Sequence, residues 1–175
     1  MNYFLKTERL GFTEWQEDFY GFALELWADP HVSRLIKVDG VFSEDEIKIR
    51  LQTEMQNKKI YDVQYYPIFL LNTNSFVGCC GLRPYLPEKS IYEFGFYLKP
   101  DYWGKGYAFE AAKAIIDYSV CNIPIQNIYA GHHPENAASK KSLERLGFRY
   151  YKEEYYEPTK LYHPLYALYP VNFND

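Results

Sequence analysis

Cysteine is scarce in this chain: there are three, an adjacent pair at Cys79 and Cys80 and a single Cys121. Neighbouring cysteines rarely bridge each other and no pair has metal-ligand spacing, so neither a disulfide framework nor a metal site is expected. An odd count without a framework fits a reducing compartment. Long apolar runs are also missing: none approaches the ~20 residues of a spanning helix. The opening MNYFLKTERLGFTEW lacks a basic segment followed by an apolar one and does not read as a secretory signal. Basic charge is short as well, 19 Lys and Arg against 23 Asp and Glu for a net charge of −4, which argues against a nucleic-acid backbone as the main partner. The expectation is a soluble cytoplasmic protein with no membrane partner, no nucleic acid and no metal.

Aromatic residues are abundant, with 19 Tyr, 12 Phe and 3 Trp among 175 residues. Rings should therefore fill much of the core and of any pocket wall. The length suits one domain, 1–175, with a real core. Residues 8–15 alternate as a first strand. Residues 16–28 place Phe19, Phe22, Ala23 and Leu26 on one helical face until Asp29–Pro30 stops the helix. Residues 42–58 open with Ser43 and Glu46, a capping box, and carry Ile47, Leu51 and Met55 along one side. The runs 65–72 and 76–85 predict an antiparallel hairpin, and 90–98 a further strand. On that strand Tyr92, Phe94, Phe96 and Leu98 point one way, and Glu93, Gly95 and Tyr97 the other. A helix from about 105, a short strand over 127–133, a helix over 135–148 with Asn136 as cap and Gly147 as stop, and two closing strands across Pro158–Lys160 complete the chain. The order β-α-α-β-β-β-α-β-α-β-β predicts a mixed α+β architecture, one sheet with helices packed on it.

The stretch YWGKGYAFEA, 102–111, is a glycine turn feeding straight into a helix, an arrangement suited to anions. It is not a P-loop, because Lys105 is followed by Gly106 rather than Ser or Thr. Nor is it a dinucleotide fingerprint: Phe109 stands where a third Gly or Ala is required, and no acid ends the next strand.

GFYLKPDYWGKGYAFEA, followed by HHPENAASKKSLERLGF, resembles the GCN5-related N-acetyltransferase (GNAT) superfamily. More narrowly it is similar to the branch of ribosomal-protein alanine and serine N-acetyltransferases. The likeness runs from TERLGF through WADPHV and VGCCGLRPY to YHPLYAL. It implies a GNAT fold: a mostly antiparallel, twisted sheet of about seven strands, helices on both faces, and a splayed strand pair that receives acyl-CoA. It also implies acetyl-CoA as co-substrate, held by Phe96, Leu98, Trp103, Gly104, Lys105, Gly106, Tyr107, Ala108 and Asn136. The family's usual Gln or Arg three residues before the first glycine is Asp101 here, which should face solvent or cap the turn.

Amine acetylation needs a base, an oxyanion donor and a proton for the departing sulfur. Glu93, matching the acid of the family's E-x-G segment, is the candidate base; a structural carboxylate is the alternative. His132 and His133 follow the splayed strand, and one of them, His133, is a second candidate relay or a turn-fixing residue. The tyrosine acid of many GNAT enzymes is replaced by Leu143, while the branch's Asn-x-x-Ser pattern falls on Asn136 and Ser139, making Ser139 the candidate donor to sulfur. The backbone N–H near Phe96 or Leu98 would serve the oxyanion. Direct transfer in a ternary complex is expected, to a peptide α-amine, an aminoglycoside, a polyamine or a metabolite amine, by a monomer or homodimer. A non-catalytic acyl-CoA sensor on the same fold is the alternative.

Overall fold

The computed structural model describes residues 1–169. Eight strands, β1 (Leu5–Lys6), β2 (Leu10–Phe12), β3 (Tyr65–Leu70), β4 (Phe76–Leu86), β5 (Ile91–Leu98), β6 (Asn127–Gly131), β7 (Arg149–Tyr156) and β8 (Leu161–Leu168), form one sheet in the order β1-β2-β3-β4-β5-β6-β8-β7. Every neighbouring pair is antiparallel except β5 and β6. The sheet thus holds one strand more than the seven expected. The addition, β1, is two residues long, too short to show a periodicity. Pro170, the last residue of the expected closing strand, lies outside the described residues.

The helices are α1 (Tyr20–Trp27), α2 (Pro30–Ser33), α3 (Glu44–Tyr61), α4 (Tyr107–Asn122) and α5 (Ala137–Arg145). The Asp29–Pro30 stop after α1 is also a start: the Asp29 side chain accepts from the His31 N–H and Pro30 opens α2, where a missing N–H costs nothing. α3 has the capping box of Ser43 and Glu46 and closes on Asp62 in the left-handed region, φ 58°.

Strand alternation sorts side chains onto two faces. Tyr65, Phe69 and Cys79 pack with α1, α2 and α3 residues such as Leu26, Val32 and Ile47. Their neighbours Tyr66, Ile68 and Cys80 pack on the other side with Ala111, Ala112 and Ile115 of α4 and Leu143 of α5. Both thiols are fully buried, and burial holds each well above its usual pKa, as suits small apolar fillers.

What positions the site is the divergence of β5 from β6. They pair in parallel only at Ile91–Asn127, Tyr92–Ile128 and Glu93–Tyr129. Beyond Glu93, β5 stays on β4 as far as Leu98, while β6 follows β8.

Candidate active site

The divergence exposes one edge of β5. Lys99 N–H donates to the Val77 carbonyl at 3.0 Å, so by the two-residue alternation of a strand the backbone groups of Phe96 and Leu98 point into the gap. The Leu98 carbonyl there is already taken by the Trp103 indole N–H at 2.8 Å. Among the described residues, the Leu98 N–H and both backbone groups of Phe96 are left open on this edge.

At the end of β5 a single 3-10 turn, Pro100–Tyr102, leads into the glycine turn. Gly104 and Gly106 have φ of 71° and 81°, conformations that other L-residues rarely hold. A Cβ on Gly104 would meet nothing within 4 Å, and on Gly106 only Arg9 Nη2 at 3.5 Å. The glycines therefore answer a backbone requirement, and the space above them is open. Among the described residues, the N–H groups of residues 104–109 have no acceptor, leaving a row of donors at the positive end of α4. Asp101 is exposed, as expected, and so is Lys105.

The residue that organises this turn was not legible in the sequence. Arg9 donates through Nε to Glu110 Oε2 at 2.6 Å and through Nη1 to the Lys105 carbonyl at 3.0 Å. Its guanidinium lies 4.4 Å from the Tyr107 ring centroid. Glu110 also accepts from Arg9 N–H at 3.0 Å and from the Thr7 hydroxyl. These hydrogen bonds and the Arg9 charge hold its carboxyl below the usual range even though burial opposes them.

A cavity of about 780 Å³ connects the β5 edge, the glycine turn, α5 and a second wall from β3, β7 and β8. It brings together Glu93, Ser139 and His133 with Phe96, Leu98, Trp103, Gly104, Gly106, Tyr107, Ala108 and Asn136. Lys105 alone of the expected residues does not line it. Asn136 Oδ1 accepts from Ser139 N–H at 3.0 Å, so Asn136 caps α5 as read; its amide N–H groups and the Ser139 hydroxyl form no hydrogen bond among the described residues. Leu143, in place of a tyrosine, is 2% exposed and belongs to the core.

The two histidines differ. His132 Nδ1 is 2.8 Å from the His133 carbonyl and must be the protonated nitrogen; its Nε2 is buried without a partner. His133 Nδ1 accepts from the Glu135 N–H at 3.2 Å, which ties that nitrogen to the turn before α5. A third imidazole, His163 of β8, lies edge-on to His133 at 5.5 Å. Burial pushes its pKa down to about 4, so it is neutral at pH 7.

Glu93 faces the same cavity, and burial raises its pKa. Arg83, opposite it on β4, counteracts this in part but is committed elsewhere. Arg83 Nε donates to Glu54 Oε1 at 2.8 Å, and Glu54 Oε2 accepts from Tyr65 N–H at 2.8 Å. Glu54 is fully buried. No hydrogen bond among the described residues uses the Glu93 carboxylate. The result is a carboxylate of raised pKa beside an open strand edge, the setting of a general base. Among the described residues no group of three or more His, Cys, Asp or Glu is placed to hold a metal ion, and no helix is long and apolar enough to cross a membrane.

Known proteins resemble this chain in sequence and in fold. Residues 9–149 match the family model of the acetyltransferase (GNAT) domain. The uncharacterized N-acetyltransferase YnaD of Bacillus subtilis is 29% identical over 145 residues, covering 83% of this chain and 82% of its own. A GNAT-family acetyltransferase from Bacillus anthracis superposes with a TM-score of 0.79 at 27% identity, over 94% of this chain and 97% of the other. A ribosomal L7/L12 α-N-protein acetyltransferase, RimL, in complex with coenzyme A shares the fold, with a TM-score of 0.80 at 16% identity, over 95% and 96% of the two chains. With its splayed β5–β6 pair and its glycine turn, the chain belongs to the GNAT family of N-acetyltransferases.

Proposed function

We propose that the protein transfers acetyl from acetyl-CoA to a primary amine, directly and within a single domain, with Glu93 as base. The observation that carries this reading is the continuity of one cavity from the open donors of the glycine turn, along the free edge of β5, to the half-buried Glu93, whose carboxylate forms no hydrogen bond among the described residues. The residues suit the group: open space above Gly104 and Gly106 accepts a pyrophosphate, and an unpaired strand edge accepts a pantetheine amide chain.

When bound, acetyl-CoA supplies an activated acyl group whose carbon–sulfur bond is exchanged for a carbon–nitrogen bond. The N–H groups of 104–109 bind its phosphates. The Phe96 and Leu98 N–H groups face the gap, where the Phe96 N–H donates to the acyl oxygen and Asn136 orients the arm. Glu93 takes the proton that the amine nitrogen must lose, and Ser139 donates to the sulfur. An α-amine, with a pKa of about 8, needs only a modest base at neutral pH, whereas a lysine-like amine at about 10.4 needs more. Glu93 serves both, since its raised pKa brings it nearer the operating pH.

Calorimetric titration with acetyl-CoA beside NADH and ATP tests the donor, and an amine panel beginning with peptides bearing free N-terminal Ala or Ser tests the transfer. Binding of acetyl-CoA alone, with acetylation of a panel member, is expected. Binding without transfer to any amine would favour an acyl-CoA sensor. No binding would remove the donor reading altogether.

A further inference from the structure

We propose that Tyr65, Tyr97 and Tyr156 form, with Glu93, a box that receives the acceptor as a primary ammonium with no carboxylate beside it, and that the Tyr65 hydroxyl hydrogen-bonds the nitrogen. This rests on the acetyltransferase reading above and names the acceptor class of that site. Tyr65 is 2% exposed, and its ring is pinned from two sides. The Arg83 guanidinium lies 4.2 Å from its centroid, and the Tyr97 ring meets it edge-on at 5.9 Å. Its hydroxyl end rests on Gly95, where a Cβ would stand 2.5 Å from Tyr65 Oη. Gly95 is thus the residue that admits a phenol onto the face of β5 that also carries Glu93.

All three phenols and Glu93 line the cavity, and among the described residues none of their side-chain oxygens has a hydrogen-bond partner. Tyr156, 36% exposed, is the outer wall. Burial is the main cause that raises each phenol's pKa, and the Glu93 charge adds to it; the three remain neutral at pH 7. Neutral phenols and ring faces around one carboxylate are the chemistry that receives a cation. The charge balance selects further. Arg83 is held by the fully buried Glu54, so its charge offsets that of Glu93 only in part, and Glu154 lines the same cavity. Arg50, whose guanidinium packs on the Trp27, Phe42 and Tyr97 rings, also acts on Glu93 but does not line the cavity, and the arginines that do line it, Arg34 and Arg145, are exposed. A carboxylate adjoining the ammonium would meet Glu93 with no cation of the box to receive it. Tyr65 keeps its own proton: one ammonium N–H is lost to Glu93 while Tyr65 Oη accepts another.

The test is a calorimetric titration of the CoA-saturated protein with n-butylammonium chloride to about 20 mM, which largely fills even a millimolar site. Wild type should bind it. Tyr65→Phe, which keeps the ring, should bind about tenfold more weakly, the loss of one hydrogen bond to a charged group, with CoA affinity unchanged. Tyr156→Phe gives a second variant at a half-exposed position should Tyr65→Phe fold poorly, and it should weaken the cation in the same direction. Alaninamide should compete with n-butylammonium and alanine should not. Absence of n-butylammonium binding to wild type, equal binding by both variants, or equal competition by alanine would overturn the box. Failure of CoA itself to bind would instead remove the acetyltransferase reading, and the cation titration of the free protein would still decide on the box.

Discussion

Arg9 and Glu110, 101 positions apart, meet at the mouth of the glycine turn, where the guanidinium bonds both the carboxylate and the Lys105 carbonyl. An acid in the first turn of a helix competes with any anion bound there; Arg9 neutralises Glu110 and fixes the turn that the phosphates would use. Arg9→Ala should weaken acetyl-CoA binding about tenfold, a modest figure because the arginine side chain is 41% exposed and screened. Glu110→Gln should cost less. The double variant Arg9→Ala/Glu110→Gln should recover part of the loss, because the uncompensated charge has gone. A double-mutant cycle by calorimetry checks it, and additive losses would mean that the pair acts only through the fold.

Glu93→Gln should lower turnover by about 10²-fold, the lower end for general-base catalysis, with acetyl-CoA affinity nearly intact. Because the folded pKa of Glu93 is raised, the acidic limb of the wild-type rate profile should sit above the ordinary carboxylate range, and it should vanish in Glu93→Gln. Stability moves the other way. A carboxyl whose folded pKa exceeds its unfolded value binds more protons folded, so it loses stability as pH rises from the unfolded toward the folded pKa. Glu93→Gln should therefore unfold at a higher temperature than wild type at pH 7 and show little advantage near pH 3. An unchanged rate profile would make Glu93 structural.

Much of this was legible because it is local. The Ser43–Glu46 capping box, the Asn136 cap, the positive-φ Gly147 and the alternation of Tyr92 to Leu98 are short-range rules, and the structure obeys them. The glycine turn was legible for the same reason. Arg9–Glu110, Arg83–Glu54 and Tyr65 on Gly95 were not: each joins residues 101, 29 and 30 positions apart, and only the strand order brings them together. The tyrosine-rich stretch 150–166 does suggest an aromatic wall on the acceptor side, but nothing in it singles out His163. The second role of Asp29–Pro30 shows a limit of stop signals, since a proline that ends one helix is also well suited to begin the next.

Glu54→Leu should destabilise the protein by about 3 kcal/mol, the low end for removing one partner of a buried pair, because Arg83 keeps some solvent at 21% side-chain exposure. For a chain of this size that is a fall in Tm of about 6–12 °C. With the Glu54 charge gone, Arg83 would act more fully on Glu93, its cross-strand neighbour, and the Glu93 pKa should fall. The acidic limb of the rate profile should shift down in Glu54→Leu while the limb of wild type stays high. A loss of Tm with no shift of the limb would show that Arg83 does not couple to the base.

Ser139→Ala should leave the stability of α5 nearly unchanged, because the cap uses the Ser139 N–H rather than its hydroxyl. If the hydroxyl donates to the departing sulfur, turnover should fall with no change in acetyl-CoA affinity, and the loss should shrink when a more acidic thiol is the leaving group. Equal rates for Ser139→Ala and wild type with both thioesters would return the serine to a purely helical role.

Gly106→Ala and Gly106→Glu separate backbone strain from obstruction at the turn. With φ at 81° and only Arg9 Nη2 near its Cβ position, alanine fits sterically but is strained by about 1–2 kcal/mol. It should lower Tm slightly and weaken acetyl-CoA about tenfold. Glutamate adds the same strain together with a carboxylate among the open N–H groups of 104–109, and it should abolish acetyl-CoA binding. Acetyl-pantetheine, which carries the thioester arm without the pyrophosphate, provides the control. Its KM should be nearly the same in wild type and both variants, because it does not use the turn. If acetyl-pantetheine and acetyl-CoA lose affinity together, the variants have disturbed β5 and its free edge, and the phosphates are not held at Gly104–Gly106.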